Sequence, residues 1–499
     1  MTYPVNLLIA GELRPGRGTG CKVENPATGE VLVEVPDADP GDVEAAVDSA
    51  QSAWREWAAV PDPERAATLR RLAALLEADG PRLASIITAE LGKPINEAEG
   101  EIGGTVGFVT HAASLLETRT DEIRYTGTAN EEIWTRRRPH GVVAAIVPWN
   151  FPSALVTRKL GPALAAGNAI ILKADEKTPL SALAIAEIVA NSGLFPAGLV
   201  NVLTGPGEVI GKALVDSRGT NLVTMTGSSE VGKEILAGAA AQVKPVHLEL
   251  GGKAPFIVLA DADLELAVAD AVASRHLNNG QVCIANERTF VHEALYPEFV
   301  DRYVAAVQAL KVGDPTLRDT QIGPKVSGQE LDKTLGILSA SVQAGATVLT
   351  GGERLSGGGY GNGHWMSPGV VVDVTDDMGL MRQEVFGPVT PISRFSDWSD
   401  VAARSNASTY GLSAYVYTND LGAASGRAGT WPSARCTSTG SARRRSTAST
   451  PASGRAGWPA TTARTGWRAT SSSRPCTSDT ELSDESTTGR VHDRGNSGR

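Results

Sequence analysis

Short apolar runs alternate with helix-like segments from about residue 40 to residue 420, and this alternation restricts the chain to an α/β fold. Residues 42–58 and 62–78 are amphipathic at helical spacing. Strand-like runs follow, most of them separated by helix-like segments, at 142–146, 169–172, 200–203, 222–225 and 256–259. A strand, a helix and another strand in repetition predict parallel sheets joined by crossover helices.

Length, charge and cysteine content set the broad class. A chain of 499 residues is too long for one simple core, so two or three domains are expected. No apolar run reaches the roughly 18 residues that a membrane-spanning helix needs, and the net charge of −10 argues against nucleic acid as a partner. No signal peptide is visible, and four cysteines are too few for a disulfide framework. We therefore expect a protein of the reducing cytoplasm.

The last part of the chain differs in composition from the rest. Residues 423–481 contain no Leu, Ile, Val, Met, Phe or Tyr, and residues 423–499 contain 12 arginines and no lysine. Such a segment buries too little apolar surface to offset its chain entropy, so it is expected to be disordered. GC-rich codons read out of register give this same composition. Two interpretations stay open: a shifted reading frame, which the composition favours, and a genuine disordered tail.

Three residues are candidates for catalysis. Cys283 follows Asn-Gly-Gln-Val, and although most cysteines are small core residues, this polar setting favours an accessible thiol. Glu249 precedes two glycines and is either a general base or a solvated surface carboxylate. Asn150 lies between two prolines at 148–152. Its amide either donates to an oxyanion or caps an ordinary turn.

Two further segments are candidates for holding a nucleotide. Residues 225–232 join a strand to a helix and include Gly227 and Ser228. The free N–H groups at such a helix start suit a pyrophosphate, although the segment lacks the Gly-x-Gly-x-x-Gly pattern. Lys173 and Glu176 follow another strand. They either bind a ribose or are surface charges.

Six motifs occur in one order along the chain, at 148–152, 173–179, 226–228, 249–253, 280–283 and 384–388. Together they resemble the aldehyde dehydrogenase superfamily, over about residues 25–421. The resemblance implies an α/β fold with a Rossmann-type cofactor domain at 1–120 and 143–249 and an oligomerisation hairpin at 121–142. It also implies an α/β catalytic domain at 250–422, which leaves 423–499 as an aberrant tail.

The resemblance also implies a mechanism. Cys283 attacks a small aldehyde, the Asn150 amide and the Cys283 N–H hold the oxyanion, and hydride transfer to the nicotinamide leaves a thioester that Glu249 hydrolyses with water. No metal is expected. The cofactor is implied to be NAD, because the Glu176 carboxylate accepts from both ribose hydroxyls and would repel a 2′-phosphate. NADP is possible if Lys177 or a shifted backbone relieves that repulsion. The residues implied to bind the cofactor are Trp149, Lys173, Glu176, Gly227, Ser228, Glu384 and Phe386.

Local stretches narrow the implied substrate. Residues 274–283 and 225–228 resemble lactaldehyde and glycolaldehyde dehydrogenases most closely. Succinate-semialdehyde dehydrogenases are the alternative, because Arg158 matches an arginine that binds the distal carboxylate there. The second arginine of those enzymes is replaced by Leu277.

A family-like homodimer or homotetramer is expected, but the family's closing segment is missing after residue 422. A catalytically impaired product is therefore a further alternative.

Overall fold

The computed structural model describes residues 2–128, 130–420 and 435–439. It contains two seven-stranded, mainly parallel sheets with helices around them, which confirms the α/β prediction. The helices that the structure describes include none that is both long and apolar enough to cross a membrane.

The first sheet is doubly wound. Its strand order is β11-β10-β7-β8-β9-β1-β2, and the five strands from β11 to β9 are parallel. The chain runs outward from β7 to β8 and β9, and then returns to place β10 and β11 on the other side of β7. Ligands of such sheets bind outside the carboxyl ends of the strands, where the order reverses. The elements are β1 (Leu7–Ile9), β2 (Glu12–Arg14), β3 (Cys21–Asn25), β4 (Glu30–Val35), α1 (Pro40–Ala59), α2 (Asp62–Ala78), α3 (Gly80–Leu91), α4 (Ile95–Glu117), β5 (Glu122–Tyr125), β6 (Glu132–Thr135), β7 (Val142–Ile146), α5 (Ala154–Ala165), β8 (Ala169–Ala174), α6 (Leu180–Ser192), β9 (Val200–Thr204), α7 (Lys212–Asp216), β10 (Leu222–Thr226), α8 (Ser229–Ala240) and β11 (Val246–Glu249).

The second sheet belongs to the following part of the chain. Its order is β14-β15-β16-β13-β12-β17-β18, and only β14 runs antiparallel to its neighbour. Its elements are β12 (Ala254–Val258), α9 (Leu264–His276), β13 (Asn286–His292), α10 (Tyr296–Gln308), α11 (Gly328–Gln343), β14 (Thr347–Thr350), β15 (Gly369–Val372), α12 (Gly379–Arg382), β16 (Val389–Phe395), α13 (Trp398–Asn406), β17 (Ser413–Tyr417) and β18 (Arg435–Thr439).

The central strands of both sheets are apolar because they are buried on both faces. Strands β7, β8 and β9 are almost entirely buried, and so is β12. This burial explains why they appear in the sequence as continuous apolar runs without alternation. The strand positions predicted from those runs agree with the structure within two residues.

Strand β18 lies inside the segment that the composition predicts to be disordered. It pairs in parallel with β17 over all five residues, from Ser413 opposite Arg435 to Tyr417 opposite Thr439. Residues 435–439 are thus described as a strand, within the segment for which composition predicts disorder. Composition alone missed this strand because ladder hydrogen bonds use backbone groups, and the edge of β17 offers a row of them. The rest of the predicted tail lies outside the described residues.

Strands β5 and β6 form a separate two-stranded antiparallel hairpin. All eight of their residues are exposed, including the large apolar side chains of Ile123, Tyr125, Ile133 and Trp134.

Candidate active site

Cys283 follows a loop with unusual backbone geometry. Asn278, Asn279 and Gly280 all have positive φ values, of 50°, 57° and 72°. Three consecutive left-handed residues are costly unless the surroundings hold them. Here the Asn279 amide donates to the Gly323 carbonyl at 2.9 Å, and the Gln281 side-chain oxygen accepts from the Val326 N–H at 3.0 Å. The loop therefore presents the half-buried Cys283 on a fixed support.

Two glycines let three separate segments meet at this point. A Cβ added to Gly252 would lie 2.5 Å from the carbonyl oxygen of Cys283. One added to Gly251 would lie 2.4 Å from a carboxylate oxygen of Glu384. A side chain at Gly252 would meet backbone, and one at Gly251 would force the Glu384 carboxylate to move, which accounts for the Gly-Gly pair after Glu249. The glycines thus allow the segments that carry Glu249, Cys283 and Glu384 to pack together.

Asn150 lies at the carboxyl end of β7 and faces the same loop. Its amide donates to the Gln281 carbonyl at 2.9 Å, while its own backbone carbonyl accepts from Asn278 at 2.9 Å and from Lys93 at 3.1 Å. An amide nitrogen carries two hydrogens, so one N–H remains for a further acceptor. Asn150 is thereby held next to the cysteine loop with its amide positioned to donate.

A buried ion pair that the sequence analysis missed supports Asn150. The ammonium of Lys93 contacts the carboxylate of Glu101, and both side chains are almost fully buried. Glu101 also accepts from the N–H groups of Ser153 and Ala154 at 2.9 and 3.1 Å, which caps the start of α5. Both charges lie in segments whose sequence carries no recognisable motif, so only the three-dimensional structure reveals their role.

Glu249 ends β11 and is paired with Arg158 of α5. The closest atoms, Glu249 Oε1 and Arg158 Nη2, are 3.6 Å apart, and both side chains are largely buried. The Arg158 guanidinium also lies 5.8 Å from the ring centroid of Phe108. Arg158, which the sequence analysis offers as a ligand for a substrate carboxylate, is thus already paired with the carboxylate of Glu249.

Charges around Cys283 decide how easily its thiol ionises. Burial raises the pKa of the thiol to about 12, the carboxylates of Glu384 and Glu249 also act to raise it, and Arg158 opposes them. A thiol is nucleophilic only as the thiolate. Burial, Glu384 and Glu249 therefore disfavour the thiolate of Cys283, whereas Arg158 favours it.

The loop that carries Glu384 and Phe386 is held by another buried carboxylate. Glu287 accepts from the N–H groups of Val385 and Phe386 at 2.9 and 3.1 Å. It also pairs with Lys253 at 2.7 Å and Arg275 at 2.8 Å. Although burial raises its pKa, Arg275 and Lys253 more than offset this and hold the pKa at about 2. Glu287 was also missed from the sequence.

Phe386 and Glu384 connect this loop to the segments that follow β7 and β11. Phe386 has a positive φ of 51°, and its ring meets Trp149 edge to face at 5.4 Å between centroids. Glu384 accepts from the Gly252 N–H at 2.9 Å. Burial and the nearby Glu287 carboxylate raise the pKa of Glu384 to about 7.

The remaining predicted residues follow the carboxyl edge of the first sheet. Ser228 caps α8 and accepts from the Val231 N–H at 3.3 Å, and the Gly227 N–H donates to the Glu249 carbonyl at 3.0 Å. Lys173, almost fully buried, pairs with Glu176 at 2.8 Å.

These residues fit a dinucleotide. The start of α8 offers free N–H groups to phosphates, and the lysine–carboxylate pair suits ribose hydroxyls. Within the described part of the chain, the buried hydroxyl of Thr226 has no hydrogen-bond partner. A polar ligand at this edge would therefore satisfy an otherwise unpaired group.

A doubly wound sheet with this edge, beside a half-buried cysteine and a carboxylate, defines a nicotinamide-dependent dehydrogenase that acts on aldehydes. The model of the aldehyde dehydrogenase family matches residues 14–448. The chain belongs to that family, and is an oxidoreductase that acts on aldehydes with NAD(P).

Individual relatives are similar over most of their length. A 3,6-anhydro-alpha-L-galactose dehydrogenase from Streptomyces coelicolor is 44% identical over 83% of this chain and 84% of its own. The lactaldehyde dehydrogenase of Escherichia coli is 39% identical over 85% of this chain and 88% of its own. The solved structure of a 3,6-anhydro-L-galactose dehydrogenase in complex with NADP superposes with a TM-score of 0.84, at 40% identity, over 87% of this chain and 91% of that one.

Proposed function

We propose that this protein oxidises a small 2-hydroxy aldehyde of the lactaldehyde or glycolaldehyde type to its carboxylic acid, with NAD as acceptor. The observation that carries the proposal is the meeting of Cys283, Asn150 and Glu249 at one site, with Glu249 paired to Arg158. Two relatives are named for aldehydes whose carbonyl neighbours a hydroxyl-bearing carbon, lactaldehyde and anhydrogalactose.

The proposed reaction has two stages. The Cys283 thiolate attacks the aldehyde carbon, and the oxyanion of the thiohemiacetal accepts from the Asn150 amide and the Cys283 N–H. The cofactor, when bound, accepts the hydride from this carbon, which leaves a thioester on Cys283. Glu249 then takes a proton from water as the hydroxide adds to the thioester, and the carbon–sulfur bond breaks to release the acid.

The Arg158 pair argues for an uncharged substrate. A substrate carboxylate, as in succinate semialdehyde, would have to displace Glu249, which lies 3.6 Å from Arg158. Leu277, in place of a second arginine, offers such a carboxylate no further partner. Succinate semialdehyde remains the second candidate, because a guanidinium can bind a carboxylate bidentately.

The test compares lactaldehyde, glycolaldehyde and succinate semialdehyde in unmodified protein and in Arg158→Met. We expect the hydroxyaldehydes to have the higher kcat/KM. A preference for the semialdehyde that Arg158→Met removes would establish the second candidate. Lys311→Met, a change of equal charge at an exposed position, serves as the control.

Assembly and the tail form a separate part of the proposal. We propose that the exposed hairpin β5–β6 supports a homodimer or homotetramer, that residues 423–499 come from a shifted reading frame, and that this impairs assembly and turnover. Both the 499-residue chain and a version with the presumed frame restored should be expressed and compared by mass in solution and aldehyde-dependent NADH formation. A fully active oligomer from the unaltered chain would refute the account of the tail.

A further inference from the structure

A buried carboxylate lies at the same sheet edge as Lys173 and Glu176 and takes part in no step of the proposed reaction. Asp37 follows β4 and is 4% exposed. The N–H of the next residue, Ala38, donates to the carbonyl of Thr204 at 2.9 Å. Asp37 therefore covers the carboxyl end of β9, the neighbour of β8.

This corner contains unpaired polar atoms. Among the described residues, Asp37 Oδ1 and the fully buried Thr204 hydroxyl both have no hydrogen-bond partner. Buried polar atoms are nearly always paired, so two orphans at one strand end indicate a ligand with hydroxyl groups. Gly205 packs closely against this corner, because a Cβ there would lie 2.9 Å from Ile210 Cγ1 and 3.4 Å from the Cβ of Asp37, so a side chain at this position would crowd Asp37.

The charges of the corner are predominantly negative. Asp37 interacts electrostatically with both Glu176 and Lys173, and Lys173 is already paired with Glu176 at 2.8 Å. The Cys21 thiol also hydrogen-bonds to the Asp37 carboxylate, of which Oδ1 alone has no hydrogen-bond partner among the described residues. Two carboxylates thus face one ammonium group. A ribose hydroxyl suits this arrangement as a donor, whereas a phosphate would meet net repulsion.

We propose that Asp37 is a second cofactor-selecting residue, which with Glu176 holds the adenosine ribose hydroxyls of NAD and repels the 2′-phosphate of NADP. This inference rests on the NAD preference in the proposed function. Its particular consequence is that Glu176 alone does not determine selectivity. With Glu176 neutralised, Asp37 still balances Lys173, so the corner carries no net positive charge with which to attract a phosphate.

The test measures dissociation constants of NAD and NADP by calorimetry on the full chain, without substrate. The variants are Glu176→Gln, Asp37→Asn, the double variant, and Asp332→Asn as an exposed control of equal charge change. We expect Asp37→Asn to lower the ratio of the NADP to the NAD dissociation constant by about tenfold. Glu176→Gln should keep a clear NAD preference that the double variant loses.

The outcomes separate failure of the Asp37 inference from failure of the proposed NAD preference. An unchanged ratio in Asp37→Asn overturns the inference, and so does complete loss of preference in Glu176→Gln alone. Because Glu176 is partly exposed, Glu176→Gln still tests the inference if the buried substitution Asp37→Asn prevents folding. Tighter binding of NADP by the unmodified protein would overturn both this inference and the NAD preference proposed above.

Discussion

Neutralising Glu384 should make Cys283 more reactive. After burial, this carboxylate is the largest influence that raises the pKa of the thiol. In Glu384→Gln the negative charge disappears while the shape and the hydrogen bond from Gly252 can remain. The thiolate would then form at lower pH. Because the pKa of Glu384 is itself about 7, the variant and the unmodified protein should diverge mainly above neutral pH.

The expected magnitude follows from the contacts around Gly251 and Gly252. Glu384 Oε1 accepts from the Gly252 N–H at 2.9 Å, and a Cβ on Gly252 would meet the Cys283 carbonyl. The carboxylate is therefore close to the thiol. At a separation of roughly 7 Å and an effective dielectric constant of about 20, one charge contributes about 2 kcal/mol, or roughly one to two pKa units.

The assay is the rate of iodoacetamide modification of Cys283 between about pH 7 and pH 10, the range over which thiols ionise, followed by peptide mass. We expect Glu384→Gln to react about tenfold faster or more at about pH 9, and Arg158→Met to react more slowly, because its positive charge favours the thiolate. Glu298→Gln, at an exposed position on α10, controls for net charge. Equal rates in Glu384→Gln and the control, or changes of the same sign in both site variants, would refute the reasoning.

Two further predictions follow from the site. Cys283→Ala should lose dehydrogenase activity and keep NAD binding by calorimetry; residual turnover of aldehyde would exclude Cys283 as the nucleophile. Glu287→Gln should lower the free energy of unfolding in urea by about 3 kcal/mol, because Lys253 and Arg275 stay buried without their partner. The folded pKa of Glu287, about 2, lies below the unfolded value of about 4.3, so its contribution is complete above the unfolded pKa and declines as pH falls toward the folded one. Between about pH 5 and about pH 2.5, the free energy of unfolding should therefore fall less steeply with decreasing pH in Glu287→Gln than in the unmodified protein.

Strands and helices were predictable because local pattern determines them. The runs at 142–146 and 222–225 are buried on both faces, so their apolar character is continuous. The strand at 435–439 was not predictable in this way, because parallel pairing with β17 depends on a neighbouring edge and not on apolar side chains.

The site was only partly predictable. Cys283, Glu249 and Asn150 lie in motifs rich in glycine, proline or asparagine. The backbone conformation needed there restricts the residue types, so the motifs are recognisable in the sequence. Lys93 and Glu101 act through burial and long-range contact, and single charges in a helical sequence look like surface residues. The ion pair between Arg158 and Glu249 likewise forms only because α5 packs next to β11, and no local sequence pattern encodes that packing.

The position of Glu287 has a consequence for redesign of this protein. One carboxylate joins the start of β12 through the preceding residue Lys253, α9 through Arg275, and the Glu384–Phe386 loop through two N–H groups. Libraries that vary these positions would mix loss of folding with change of activity, and screens would discard most members for the wrong reason. Phe108 and Arg158, which contact one another, lie outside that connection. Diversity at Arg158 would change its pairing with Glu249 and the ionisation of Cys283 as well as aldehyde choice, so such variants need a thiol-reactivity measurement beside turnover.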